Sequence, residues 1–179
     1  MTDQEIVYSA ATIQARVREL GARLTMDYHG RPLVVIGVLN GAFIFLADLV
    51  RAMDLDLEVD FVRAASYGAA TVSSGRVALT RQVELCLAGK DVLLVEDIVD
   101  TGRTLAALME VIKSGQPNSL KVCALIDKTE RREVALTADY ACFTEAHGFL
   151  VGYGLDCAEQ YRNLPAICRL RQPSTPPCP

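Results

Sequence analysis

Val92-Leu93-Leu94-Val95-Glu96-Asp97-Ile98-Val99-Asp100-Thr101-Gly102-Arg103-Thr104-Leu105 runs from an apolar strand into three carboxylates within five residues, then into Thr-Gly-Arg-Thr at a helix start. A strand apolar on both faces belongs in a parallel sheet covered on both sides. In such a sheet, ligands bind beyond the carboxyl ends of the strands. The carboxylates stand at that end. Their mutual repulsion is relieved by a divalent cation, by sugar hydroxyls or by a raised pKa. Asp100 to Thr104 then offer backbone N–H groups, two hydroxyls and a helix N-terminus, a combination that suits a phosphate. A diol-and-metal half beside a phosphate half outlines a ribose 5-phosphate. Capping of the helix by Asp100 or Thr101 accounts for one carboxylate and not for three.

Outward from this stretch, short β-rich runs alternate with helical ones. Ser9 can cap a helix in which Ile13, Val17, Leu20 and Leu24 recur at helical spacing, ending near Tyr28-His29-Gly30-Arg31-Pro32. Residues 33–39 read as strand, 42–53 as helix and 57–65 as strand. A second cycle takes strand 91–95 through helix 102–113 to strand 120–126. The expected class is α/β with a central parallel sheet flanked by helices. Residues 66–75, rich in small and polar types, read as a mobile loop. The proline-rich 172–179 reads as a disordered tail after a single domain spanning 1–171.

Composition excludes several classes. A net charge of -4 disfavours a nucleic-acid gripper, which needs a basic face. The longest apolar stretches are too short for a bilayer, and Met1 to Glu5 lacks the pattern of a secretory signal, so the expected location is cytoplasmic. Six cysteines lie scattered with no C-x-x-C pair, and two histidines supply little for a Cys–His nucleophile. Neither G-x-x-x-x-G-K-[ST] nor G-x-G-x-x-G occurs.

Glu96-Asp97-Ile98-Val99-Asp100-Thr101-Gly102-Arg103-Thr104 resembles the phosphoribosyl pyrophosphate loop of type I phosphoribosyltransferases. Further motifs resemble the hypoxanthine-guanine branch: Val38-Leu39-Asn40-Gly41, Ser66-Tyr67-Gly68, Asp127-Lys128, Phe149 to Asp156, and Tyr161-Arg162-Asn163-Leu164. The resemblance implies a core sheet, a closing loop and a small hood, built from the chain ends, over the purine. It implies purine salvage: hypoxanthine or guanine plus phosphoribosyl pyrophosphate giving IMP or GMP plus pyrophosphate. It also implies Mg2+ as cofactor, small molecules as the only ligands, with no nucleic acid or membrane, and a homodimer or homotetramer.

The resemblance further implies roles. Glu96 and Asp97 hold the ribose hydroxyls, partly through magnesium, and Asp156 holds a second magnesium. The groups of Asp100, Thr101, Gly102, Arg103 and Thr104 hold the 5′-phosphate. Asp100 takes the proton from purine N7. Phe149 stacks on the base, Lys128 donates to its 6-oxo group, and main-chain groups of Leu150 and Asp156 read the other edge. Asn40, Gly41 and Arg162 bind pyrophosphate, while Ser66 and Tyr67 close over it. Asn40, Gly148 and Cys157 depart from the family pattern, and the Leu39-Asn40 peptide is a candidate for the cis form. The alternative class is a nucleotide- or phosphoribosyl-pyrophosphate-sensing regulator on the same fold; another sugar acceptor, xanthine or a pyrimidine, is the alternative within enzymes.

Overall fold

The computed structural model describes residues 4–64, 79–144 and 147–170. Strands β2 (Leu33–Val38), β5 (Asp91–Val99) and β6 (Ser119–Asp127) form the parallel centre of a six-stranded sheet. Its order is β4-β3-β2-β5-β6-β7, with β3 at Glu58–Ala64, β4 at Leu79–Arg81 and β7 at Tyr140–Phe143. Only β4 runs antiparallel to its neighbour. The acidic run does not break β5. Glu96 to Val99 continue it, and Val99 still pairs with Asp127. The carboxylates therefore inherit the rigidity of the most central strand.

Residues of β2, β5 and β6 alternate between two cores, as the period-2 strand requires. On one face Val35, Leu93, Val95 and Cys123 pack beneath α1 (Ala10–Tyr28) and α2 (Phe43–Arg51). On the other, Ile36, Leu94 and Val122 pack beneath α3 (Arg103–Lys113) through Leu105, Leu108 and Ile112. Ser9 Oγ accepts from Thr12 N–H at 3.1 Å, which is the expected N-cap of α1. Fully buried Ile13 and Leu24 confirm the apolar face read from spacing.

The hood is a separate three-stranded antiparallel sheet, β1-β9-β8, joining Gln4–Tyr8, Ile167–Leu170 and Leu150–Val151. Tyr8 stacks on Phe143 with centroids 3.8 Å apart, and the Tyr153 hydroxyl donates to Asp48 Oδ2 at 2.7 Å. Both contacts tie hood to core. The expected loop at 66–75 and the tail at 172–179 lie outside the described residues. No helix among the described residues is long and apolar enough to cross a membrane.

Candidate active site

A cavity of about 410 Å³ opens at the carboxyl ends of β5 and β6. Asp97, Asp100, Lys128, Phe149, Leu150 and Asp156 all line it. They come from the central strand, its neighbour and the hood, so the fold alone brings them together. The volume lies within the range of small-molecule sites.

Asp100 follows the last residue of β5. Its Oδ2 lies 3.3 Å from Arg131 Nη1, while Oδ1 is buried with no hydrogen-bond partner among the described residues. Helix α3 is capped instead by Gly102 at φ 80°, with no side-chain cap bond. Capping thus does not explain Asp100. A buried acceptor with spare lone pairs at a cavity wall suits an N–H donor from a ligand.

Lys128 directly follows β6 and is only 6% exposed, so it is not a solvated charge. Its Nζ donates to the Gly148 carbonyl at 3.1 Å and lies 3.3 Å from a Glu130 oxygen. An ammonium this buried requires such partners. Phe149 precedes β8 and is 44% exposed, so the ring is not spent on the core. An aromatic face left open on a cavity wall is suited to stacking a planar base.

Glu96 and Asp97 are both half-buried; Asp97 lines the cavity and Glu96 does not. Burial pushes both carboxyls above their usual range, and the charge of Asp97 adds to the rise at Glu96. Asp97 Oδ1 accepts from the Ile98 N–H at 2.8 Å, and its carboxylate rests on the Gly41 backbone. A Cβ on Gly41 would stand 1.7 Å from Asp97 Oδ2. Gly154 is stacked on the same turn: its own Cβ would fall 2.1 Å from the Gly41 carbonyl oxygen. The Leu39–Asn40 peptide just before Gly41 is cis.

A carboxyl whose folded pKa is raised stabilises the fold only at low pH, and that contribution disappears as pH rises through the folded pKa. At neutral pH the Glu96–Asp97 pair therefore opposes folding. Glu96→Gln, without ligand and with chelator present, is expected to raise Tm by about 2–4 °C at about pH 8, corresponding to about 1 kcal/mol. The gain should shrink toward about pH 5. Calorimetry at both pH values checks this; a lower Tm at the higher pH contradicts it.

The donor set fits magnesium, which favours carboxylate oxygen and keeps several waters rather than a full protein cage. Two adjacent carboxylates whose ionised forms burial disfavours meet that need. Among the described residues no group of three potential metal ligands forms. Asp156 is committed elsewhere, to Arg162 at 2.8 Å and to the Glu159 N–H at 2.9 Å. Arg162 also donates to the Gly154 carbonyl at 2.7 Å and pairs with Glu159. A phosphate or metal role for either therefore requires an exchange of partners.

Thr101 and Gly102 form the turn into α3 and Arg103 and Thr104 begin the helix, all four outside the wall of this cavity. The Arg103 guanidinium pairs with Glu133. Ser66 and Tyr67 lie outside the described residues. Sequence reasoning missed Ile98, Glu130, Arg131 and Leu155 on the wall, and it gave 130–132 no role. Arg132 is instead a buried staple behind Asp100 and Lys128. The motifs at 149–156 and 161–164 were expected, but their backbone conformation was not. Tyr153, Ala158, Glu159 and Tyr161 have φ between 52° and 74°, a region non-glycine residues rarely adopt. Such clusters mark sites where function overrides local preference.

The phosphoribosyl transferase domain model matches residues 3–158. A hypoxanthine-guanine phosphoribosyltransferase of Streptococcus agalactiae is 44% identical over 169 residues, covering 94% of this chain and 94% of that protein. The chain belongs to the hypoxanthine-guanine phosphoribosyltransferase family. A crystal structure of a hypoxanthine-guanine phosphoribosyltransferase from Bacillus anthracis, with a HEPES molecule in its active site, superposes with a TM-score of 0.89. It is 43% identical and the match covers 96% of this chain and all of that one, 100%. The bifunctional protein TilS/HprT of Listeria innocua is 47% identical over 164 residues. That match covers 92% of this chain but only 25% of the relative, so the chain spans about a quarter of that protein's length. The type I phosphoribosyltransferase fold expected from the acidic loop and the hypoxanthine-guanine branch expected from the further motifs thus both stand.

Proposed function

We propose that the protein is a magnesium-dependent purine salvage transferase, converting hypoxanthine or guanine plus phosphoribosyl pyrophosphate to IMP or GMP plus pyrophosphate. The observation that carries this reading is one cavity walled by Asp100, Lys128 and Phe149 together. An acid–base group, a 6-oxo reader and a stacking ring are what transfer to an oxopurine needs, and a regulator has no use for the first.

Phe149 holds the base by its face and Lys128 donates to the 6-oxo group. Main-chain groups of Leu150 and Asp156 read the opposite edge. Asp100 accepts the N7 proton as the glycosidic bond forms at N9. Glu96 and Asp97 hold the ribose hydroxyls, and the turn Asp100 to Thr104 takes the 5′-phosphate with its N–H groups. Asn40 and Gly41 offer backbone to the pyrophosphate. Arg162 joins them on leaving Asp156, and Ser66 and Tyr67 exclude water from the activated sugar. Glu96, Asp97 and Asp156 are the residues that would hold magnesium, which when bound would supply neutralising charge for the pyrophosphate leaving group. A cytoplasmic homodimer or homotetramer accords with the family.

The test is nucleotide formation by purified protein with magnesium, phosphoribosyl pyrophosphate and each of hypoxanthine, guanine, xanthine, adenine and uracil. IMP and GMP should form, and chelation should stop both. No nucleotide from any base would overturn the proposal.

A further inference from the structure

We propose that Arg132 is a positioning residue that fixes the separation between the phosphate end and the base end of the site; this rests on the transferase reading above. Its side chain is only 12% exposed. Nε donates to the Asp100 carbonyl at 2.9 Å, and the two hydrogens of Nη2 are shared among the Val99 carbonyl at 2.9 Å, the Lys128 carbonyl at 3.0 Å and Asp127 Oδ1. Nη1 donates to the Leu136 carbonyl, and the Asp127 carboxylate balances the charge. Three of these four carbonyls belong to Asp100, to Lys128 and to the residue just before Asp100.

A buried arginine serving the fold alone would be satisfied by Asp127 and neighbouring carbonyls. This one reaches across to the end of β5 while its own chain continues from β6. The same segment adds two backbone ties, Lys128 N–H to Val99 O at 3.0 Å and Glu133 N–H to Thr101 O at 3.0 Å. The arginine stem also lies over Gly102, where a Cβ would come within 3.3 Å of Arg132 Cδ. Asp127 Oδ2 anchors the far end of the segment through the Ala138 N–H at 3.1 Å. A planar fork with five donors can hold several carbonyls in one geometry, whereas a lysine ammonium on a flexible stem cannot.

The consequence concerns ligands that span both ends. A nucleotide bound at fixed separation gains over its fragments because both halves are already in place. Linked halves engaged together gain about 10²–10⁴-fold over either alone, and that gain falls away where the geometry no longer lets both engage. Each fragment alone can settle into its own half without that loss.

The experiment is calorimetric titration of IMP, ribose 5-phosphate and hypoxanthine into the wild type, into Arg132→Lys, and into the double variant Arg132→Met with Asp127→Asn. The double variant leaves no unpaired buried charge. Both variants are expected to bind IMP about 10²-fold more weakly while binding each fragment nearly as the wild type does. A merely structural role would weaken all three ligands in parallel with a fall in Tm. That pattern, or unchanged IMP affinity, overturns the role of Arg132 and leaves the transferase reading standing. A wild type that binds IMP no more tightly than ribose 5-phosphate overturns both.

Discussion

Adenine is expected to be converted about 10⁴-fold less efficiently than hypoxanthine, measured as kcat/KM with phosphoribosyl pyrophosphate saturating. The cause lies at Lys128. Its ammonium is buried at the cavity wall, with Gly148 and Glu130 as its recorded partners. A 6-oxo group accepts from it, whereas the 6-amino group of adenine presents a donor to a donor. A site built to hydrogen-bond one group rejects the analogue lacking it by about 10⁴–10⁵, because a buried polar group is left unpaired. Stacking on Phe149 is worth about 1–3 kcal/mol and is blind to this difference. Lys128→Gln offers a side chain that can turn either its oxygen or its amide to the ligand. Hypoxanthine should lose about 10–10²-fold in that variant, as for one charge-assisted bond, while the gap to adenine narrows. Comparable turnover of the two bases by the wild type would remove Lys128 from the role.

Asp100→Asn is expected to lower kcat by about 10²–10⁴-fold, the usual share of a positioned acid–base group. An amide keeps an oxygen acceptor near purine N7 but cannot take the proton. Stability should move little. Oδ1 of Asp100 has no partner to lose among the described residues, and the contact of Oδ2 with Arg131 is to a largely exposed side chain. Loss of rate with unchanged Tm separates catalysis from folding. Wild-type kcat in the Asn variant would assign the proton transfer elsewhere, and a large fall in Tm would mean that the carboxylate serves the fold.

The parallel centre of the sheet and the acidic turn were legible because both are local patterns. Val92 to Val95 are apolar without interruption, and three carboxylates follow at the one place where such a sheet presents ligands. Helix α1 was legible from Ser9 and the spacing of four apolar residues. The strand nature of Glu96 to Val99 was hidden, because local preference places acids in turns while the pairing with β6 carries them onward.

The hood defeated local reading for another reason. Its strands β1 and β9 pair Gln4 with Leu170, and nothing within five residues of either announces a partner so far along the chain. Arg132 was hidden by company. In Glu130-Arg131-Arg132-Glu133 each charge looks solvated, and only the tertiary path turns one guanidinium inward. The resemblance supplied the roles of Lys128 and Phe149, which composition could not. It was silent on Arg131 beside Asp100 and on the Asp156–Arg162 pair.

Gly154 lies against the Gly41 carbonyl, and Gly41 lies against Asp97, so main chain meets main chain where hood joins core. Redesign aimed at a new sugar donor has little freedom at these two positions, since a methyl group would collide with the Asp97 carboxylate at Gly41 and with the Gly41 carbonyl at Gly154. Diversity has to enter through the neighbours. Asn40 and Cys157, which flank the joint in sequence and already depart from the family pattern, are the places where a library of variants can explore without dismantling it.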